Sequence, residues 1–482
     1  MMTFNKSFIF IFFIILNKSL LKEESDEKLL FVWEHFRHGA RGSYKSFDYT
    51  NWKDILNEKW KGAGELTPIG MRMHYLLGVA TRKKYNHFLS PVYNPNEIFV
   101  ISTNVNRTLI SAYSNLQGLY YKSKQSNVLR NKINDIPNNN YSRQIKNSDI
   151  NIDLRINAFP VHIYDEKDLK FQLYRTEVCP GISSYVEKIR KSESIQKIYD
   201  DIFRISNESF GKYINKFMNK TTNENDNSFN YNFNDIKTIC DSFIADYVDG
   251  REINDIKRSG INIEKFYDHC LNISLIMSYY NYYGKPNEKT VEIGISPTFL
   301  DIFDYMDKRI ILDKKGISDE IILSFPKFVI VSSHDVSLAA IDLFLESKFG
   351  IKFKRADYAS SQCFELWKNT KSGKYFVKYL INLETAGIFD FYDFKNKVLN
   401  ELYSPEDIKK ICFPEKFDDS NNNKQNKKYY YLFIIFMILS TLLMICLFFI
   451  LRKGKKSIFK ENKLNIEMKE MSFANKIFYE LK

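Results

Sequence analysis

The run Leu29-Leu30-Phe31-Val32-Trp33 leads through Glu34-His35-Phe36 into Arg37-His38-Gly39-Ala40-Arg41. A short, continuous, partly β-branched apolar run that stops at a polar cluster is the pattern of a strand buried on both faces. Two more runs repeat it. Ile98-Phe99-Val100-Ile101 precedes Asn104-Val105-Asn106-Arg107-Thr108, and Phe328-Val329-Ile330-Val331 precedes Ser332-Ser333-His334-Asp335. Helical spacing follows the second run at Leu109, Ile110, Tyr113, Leu116 and Tyr120, and the third at Leu338, Ile341 and Leu345. Three continuous apolar strands, the second and third running into helices, predict an α/β fold with a mostly parallel sheet flanked by helices. A hairpin, Gln362–Leu366 and Tyr375–Ile381 around Asn369–Lys374, is expected to add antiparallel strands at a sheet edge.

Between the second and third units, residues 122–319 are rich in Asn, Lys and Tyr and poor in β-type runs. They are expected to form a mainly helical cap inserted into a discontinuous α/β domain of residues 28–121 and 320–413. Asn-rich stretches at 131–147 and 219–232 are expected to be exposed loops within it.

The chain has 482 residues, 44% of them hydrophobic and 16% aromatic, which is ample apolar surface for a large folded core. The formal charge of +12 suggests nucleic acid until its distribution is read: +2 lies in residues 1–21 and +5 in residues 452–482, leaving an ordinary +5 for the body. No nucleic-acid partner is expected. At the N-terminus, Lys6 and the apolar run to Leu16 are too short to span a bilayer and suit a signal peptide over residues 1–21. Residues 431–451 form 21 consecutive uncharged positions, long enough to cross a membrane as a helix. Arg452, Lys453, Lys455, Lys456 and Lys460 follow with no acid among them, which predicts a cytosolic tail over 452–482. Residues 414–430 are then a juxtamembrane linker, and the protein is a single-pass type I membrane protein with a lumenal or extracellular body.

Cys446 falls in the apolar span, which leaves Cys179, Cys240, Cys270, Cys363 and Cys412 for an oxidising compartment. Neither a Cys-x-x-Cys pair nor a Cys/His cluster of zinc spacing occurs, so no metal site and no cofactor are expected. Sequons at Asn140, Asn207, Asn219 and Asn272 are candidate glycan acceptors.

Each apolar strand therefore ends in a cation or an imidazole. Ligands of open α/β sheets bind beyond the carboxyl ends of the strands, where helix N-termini also point. Arg37, Arg41, Arg107, His38 and His334 gathered there make a pocket for an anion such as a phosphate or carboxylate. With no phosphate-cradling glycine loop and no metal cluster, the attacking group must be a side chain or a base-activated water. His38 is the best candidate, because neighbouring arginines keep an imidazole neutral and nucleophilic while they orient a phosphoryl group. Asp335, beside His334, is one carboxylate in place to protonate a leaving alcohol; the residues alone do not single it out.

Arg37-His38-Gly39-x-Arg41, Ser102-Thr103-Asn104-Val105-Asn106-Arg107-Thr108-Leu109 and Ser333-His334-Asp335 together resemble the histidine acid phosphatases, a branch of the phosphoglycerate-mutase-like superfamily. Gly64–Met71 and His74–Gly78 also look like that family, and the resemblance runs from about Leu29 to Phe413. It implies an α/β domain with a helical cap and hydrolysis of phosphate monoesters without a metal. His38 would be the nucleophile, forming a phosphohistidine, and Asp335 the proton donor; Arg37, Arg41, Arg107 and His334 would bind the phosphate. By the same analogy Cys240 pairs with Cys363 and Cys179 with Cys412, lysosomal or cell-surface placement is expected, and a homodimer is possible. A surface binding protein that has lost turnover, or a phosphatase specialised for lipid or inositol phosphates, remains as an alternative reading.

Overall fold

The computed structural model describes residues 26–44, 63–121, 159–163, 179–217, 231–250, 260–280, 289–317, 325–414, 433–437 and 439–440. These fall in two compact units, residues 1–404 and 405–482.

In the first unit, β1 (Glu27–Arg37), α1 (Pro68–Lys84), β2 (Ile98–Ser102), α2 (Asn106–Leu119) and the short β3 (His162–Ile163) come first. Helices α3 (Pro180–Arg190), α4 (Glu193–Phe217), α5 (Phe233–Val248), α6 (Ile263–Tyr280) and α7 (Lys289–Lys314) follow. The chain then returns to the sheet with β4 (Phe328–Ser333), α8 (Asp335–Phe349), β5 (Ser361–Asn369), β6 (Tyr375–Ile381), β7 (Glu384–Asp390) and α9 (Phe391–Leu399). The strands form one seven-stranded sheet in the order β3-β2-β4-β1-β5-β6-β7. The first four in that order are mutually parallel; β5 and β6 form the antiparallel hairpin expected from sequence, and β7 adds a further antiparallel strand at the edge.

The apolar runs are continuous because both faces of the central strands are covered. Phe31 and Trp33 of β1 face Phe299 and Phe303 of α7, Phe344 of α8 and Phe394 of α9, all in one core. Val32 and Phe36 face the other way, into a core with Ala112, Leu116 and Leu119 of α2. Side chains of this size contribute about 1.5–3 kcal/mol each on full burial, so each face strongly specifies the register. Helix α7 lies within the stretch read from sequence as the insert, yet its Val291, Ile295 and Phe299 pack on the sheet. Helices α4, α5 and α6 instead enclose a separate core around Ile239, Phe243 and Phe266.

The expected Cys240–Cys363 disulfide is not formed. Cys240 on α5 is bonded to Cys270 on α6, whose Cα lies 4.8 Å away, because the two helices pack side by side. Cys363 is a buried thiol on β5, opposite Glu34 of β1 and so inside the sheet. Cys179 and Cys412 are each disulfide-bonded. Of the sequons, Asn207 sits on α4 and accepts a hydrogen bond from the Tyr231 hydroxyl, Asn272 is exposed on α6, and Asn140 and Asn219 lie outside the described residues.

In the second unit α10 (Pro405–Cys412) carries Glu406 and Asp407 in its first turn and Lys409 and Lys410 in its last, the arrangement that complements a helix dipole. The expected signal peptide at 1–21 lies outside the described residues. So does most of the expected span at 431–451, of which 433–437 and 439–440 are described and helical. Among the described residues no helix is long and apolar enough to cross a membrane.

Glu34 and Asp342 are carboxyl groups buried within the α/β layers. Burial raises Glu34 from 4.5 to about 7 against the hydrogen bond from the Thr81 hydroxyl. Burial likewise raises Asp342 from 3.8 to about 7, partly offset by the Tyr379 hydroxyl and Gln362. The folded chain keeps these protons while the unfolded chain releases them above about pH 4.5, so each group withdraws stability as pH rises towards 7. Buried His35 and His74, lowered from 6.5 to about 3, act in the opposite sense. Comparing single variants isolates one group. Urea midpoints at pH 5 and pH 7.5 are expected to show Glu34→Gln gaining stability relative to wild type at the higher pH, at up to about 1.4 kcal/mol per pH unit within the window. An equal difference at both pH values would contradict a protonated Glu34.

Candidate active site

Strand register brings the polar motifs together. Ser332 of β4 is opposite Phe36 of β1 and Ser102 of β2, so the three parallel strands end at one level. Past that level the backbones remain stitched: His38 N–H donates to Ser333 O (3.0 Å) and Thr103 N–H to Ser332 O (3.1 Å). Two helices start at the same edge. Arg107 is the second residue of α2, and His334 is the N-cap of α8 with Asp335 its first residue. Their N-terminal dipoles favour an anion here.

A cavity of about 430 Å³ opens at this edge, lined by all six residues read from sequence: Arg37, His38, Arg41, Arg107, His334 and Asp335. Tyr44, Lys237, Thr238, Asp241 and Val336 complete it.

The loop from His38 to Gly42 is clamped against the start of α1. Gly42 N–H donates to Glu65 O, and Thr67 N–H to Ala40 O, at 2.8 and 3.0 Å. The approach is too close for side chains: a Cβ on Gly39 would lie 2.4 Å from Gly70 O, and one on Gly70 would lie 2.1 Å from Ala40 O. Gly39 N–H is used by Ser111 Oγ at 3.1 Å. Glycine at 39 thus serves loop–helix packing. His74, on α1, is fully buried and its Nε2–H donates to Arg37 O at 3.1 Å, so it braces the loop from behind.

His38 Nδ1 lies 2.9 Å from Gly39 O. A carbonyl only accepts, so the proton is on Nδ1 and Nε2 carries a lone pair. Burial first, then the neighbouring Arg37, His334, Arg107 and Arg41, hold this imidazole well below its ordinary value. It is a neutral base among cations. Arg107 Nη2 donates to His334 Nδ1 (3.4 Å), which leaves Nε2–H of His334 to donate to Thr103 Oγ1 (3.2 Å). Thr103 Oγ1 is within 2.9 Å of Thr108 Oγ1, whose own proton reaches backbone carbonyls, so the ring is fixed through two hydroxyls.

The guanidinium groups have counter-charges and aromatic faces. Arg37 pairs with Asp335 at 3.0 Å, donates to Ala356 O at 2.7 Å, and lies 4.3 Å over the ring of Tyr358. Arg41 pairs with Asp241 at 2.7 Å and lies 4.3 Å over Tyr44. For Asp335, burial acts to raise the carboxyl, but Arg37, His334 and Arg41 outweigh it, with the Val336 N–H adding to them, and the net shift is downwards. Tyr358 is a contact that sequence reading misses: it also lies 5.8 Å from the His38 ring and packs against the α4–α6 core. It precedes Ala359, whose φ of 59° is unusual for a residue with a side chain and whose N–H donates to His38 O at 3.1 Å.

Such an arrangement suits capture of an anion beside an unprotonated ring nitrogen. Comparison with known proteins points the same way. The family model for the Histidine phosphatase superfamily (branch 2) matches residues 18–382. Prostatic acid phosphatase of Homo sapiens is 40% identical over 114 residues, 23% of this chain and 28% of the relative. Lysosomal acid phosphatase of Xenopus laevis is 39% identical over 108 residues, 22% of this chain and 24% of the relative. The chain thus aligns with only about a quarter of the length of these relatives. Among solved structures, Hafnia alvei phytase in complex with tartrate has a TM-score of 0.50 at 13% identity, covering 79% of this chain and 98% of that one. The phytase from Citrobacter braakii has a TM-score of 0.51 at 14% identity, covering 78% and 98%. At such identities the likeness is one of fold.

The geometry makes a spectroscopic prediction that needs no substrate. Imidazole ¹⁵N spectra are expected to show His38 neutral, with its proton on Nδ1, at pH values where an ordinary imidazole is already protonated. A titration midpoint near the ordinary value of about 6.5 would contradict the environment described.

Proposed function

We propose that this chain, which belongs to branch 2 of the histidine phosphatase superfamily, is an acid phosphatase that hydrolyses phosphate monoesters through a phosphohistidine on His38. The observation that carries the proposal is the buried, neutral imidazole with Nε2 unprotonated beside three arginines. Arg37, Arg41, Arg107 and His334 hold the phosphate oxygens and offset the charge spread over them in the transition state. His38 Nε2 attacks phosphorus, the P–N bond forms as the ester P–O bond breaks, and the departing alcohol oxygen takes a proton from Asp335. Water then attacks the phosphohistidine, giving its proton to Asp335, and inorganic phosphate leaves. No metal or cofactor enters either step.

Asp335 must be protonated for the first step, although Arg37 holds it ionised in the free pocket. Phosphate draws on the same guanidinium and adds negative charge beside the carboxylate, both of which favour the protonated acid. Acidic surroundings supply the proton. The enzyme accordingly works in an acidic lumen or outside the cell, delivered by a signal peptide at 1–21 and held by a membrane span at 431–451, with the tail 452–482 in the cytosol. The Cys240–Cys270 disulfide supports an oxidising compartment. In this reading residues 28–121 and 320–413 carry the chemistry, and the part of the insert 122–319 that precedes α7 selects the substrate.

Phosphate release from an aryl phosphate across pH 4–8, in the presence of chelator, tests the proposal. Activity is expected to peak below neutrality and to fall at least about 10³-fold in His38→Ala. Asp335→Asn is expected to lose about 10²–10⁴-fold on an alkyl phosphate and less on an aryl phosphate, whose leaving group needs a proton less. A folded wild type that binds phosphate without turning over would favour the binding-protein alternative.

A further inference from the structure

Arg41 is 5% exposed and lines the cavity, yet the group on its Nη2 is a carboxylate from a different layer of the molecule. Asp241 reaches it from α5 with an Oδ1–Nη2 distance of 2.7 Å. The Asp241 side chain is 39% exposed, so it is free to move outwards into solvent while Arg41 is not. Lys237 and Thr238 line the same cavity and stand one turn earlier on α5. This helix therefore presents one face to the mouth of the site.

A carboxylate and a phosphate offer a guanidinium the same pair of oxygen acceptors and the same sign of charge. They compete for Arg41. Arg37 is likewise held by a carboxylate, Asp335, but that group is placed to exchange a proton with substrate. Asp241 instead comes from α5 in the insert.

We propose that Asp241 is an affinity-setting residue that occupies Arg41 in the free pocket and is displaced by the phosphate group, so that it weakens the hold on substrate and on product phosphate alike. The inference rests on the phosphatase reading above. Its chemical consequence is an affinity effect: an interaction lost equally in the bound substrate and in the transition state changes KM and leaves the chemical step alone. By loosening inorganic phosphate it also keeps product from blocking the pocket. The α5 helix thereby tunes phosphate affinity from outside the α/β layers.

The test uses the full chain in detergent, with para-nitrophenyl phosphate as substrate and orthophosphate as inhibitor at pH 5, for wild type, Asp241→Asn and Asp241→Glu. In Asp241→Asn the orthophosphate inhibition constant and KM are expected to fall together, roughly tenfold, with no rise in kcat. Asp241→Glu keeps the competing carboxylate and should stay within about twofold of wild type. The rise in melting temperature on adding orthophosphate should also be larger for Asp241→Asn, which reports on binding even if turnover suffers. An unchanged or weaker phosphate affinity in a variant that melts like wild type overturns the proposal and leaves Asp241 as a docking contact. If wild type itself neither turns over the aryl phosphate nor binds orthophosphate, the phosphatase reading fails and this proposal fails with it.

Discussion

Arg37, Arg41 and Arg107 converge on one buried imidazole, and like charges brought into a crevice of low dielectric repel strongly. The rest of the structure answers that repulsion. His38 gives up its charge, pushed below its ordinary titration range by burial and by the surrounding cations. Asp335 and Asp241 supply two negative charges at 3.0 and 2.7 Å from Arg37 and Arg41. The faces of Tyr358 and Tyr44 and the carbonyl of Ala356 take up what remains. A dianionic phosphate would bring the same two negative charges to the guanidinium groups as these two carboxylates do.

Holding the charges in place falls to contacts with no chemistry of their own. Gly39 and Gly70 let the loop after β1 lie directly on α1, and the register of β1, β4 and β2 sets His38, His334 and Thr103 at one height. His74 behind Arg37 O and the hydroxyl pair Thr103–Thr108 behind His334 fix orientation by hydrogen bonds that never reach the cavity.

Much of this was legible in the residues. Strands β1, β2 and β4 announce themselves because burial on both faces makes them continuously apolar, and the polar motif after each lands on the cavity because parallel strands share a C-terminal edge. Strand β7 escaped notice because it is an edge strand whose residues are mostly exposed. Helix α7 looked like part of the insert because sequence order does not say which helix returns to the sheet. Cys240 was assigned the wrong partner because neither cysteine spacing nor analogy reveals that α5 and α6 pack side by side. Asp241 and Tyr358 carry no motif; only the docking of one layer on another brings them to Arg41 and Arg37.

The central claim is that His38 Nε2 becomes covalently phosphorylated. The most direct measurement is rapid denaturing quench of the enzyme during turnover of a phosphorus-labelled monoester, followed by peptide mapping under alkaline conditions that preserve phosphohistidine. The account predicts acid-labile label on the peptide containing His38 and none in His38→Ala. Turnover by wild type with no label on that peptide, or with label on another residue, would contradict it.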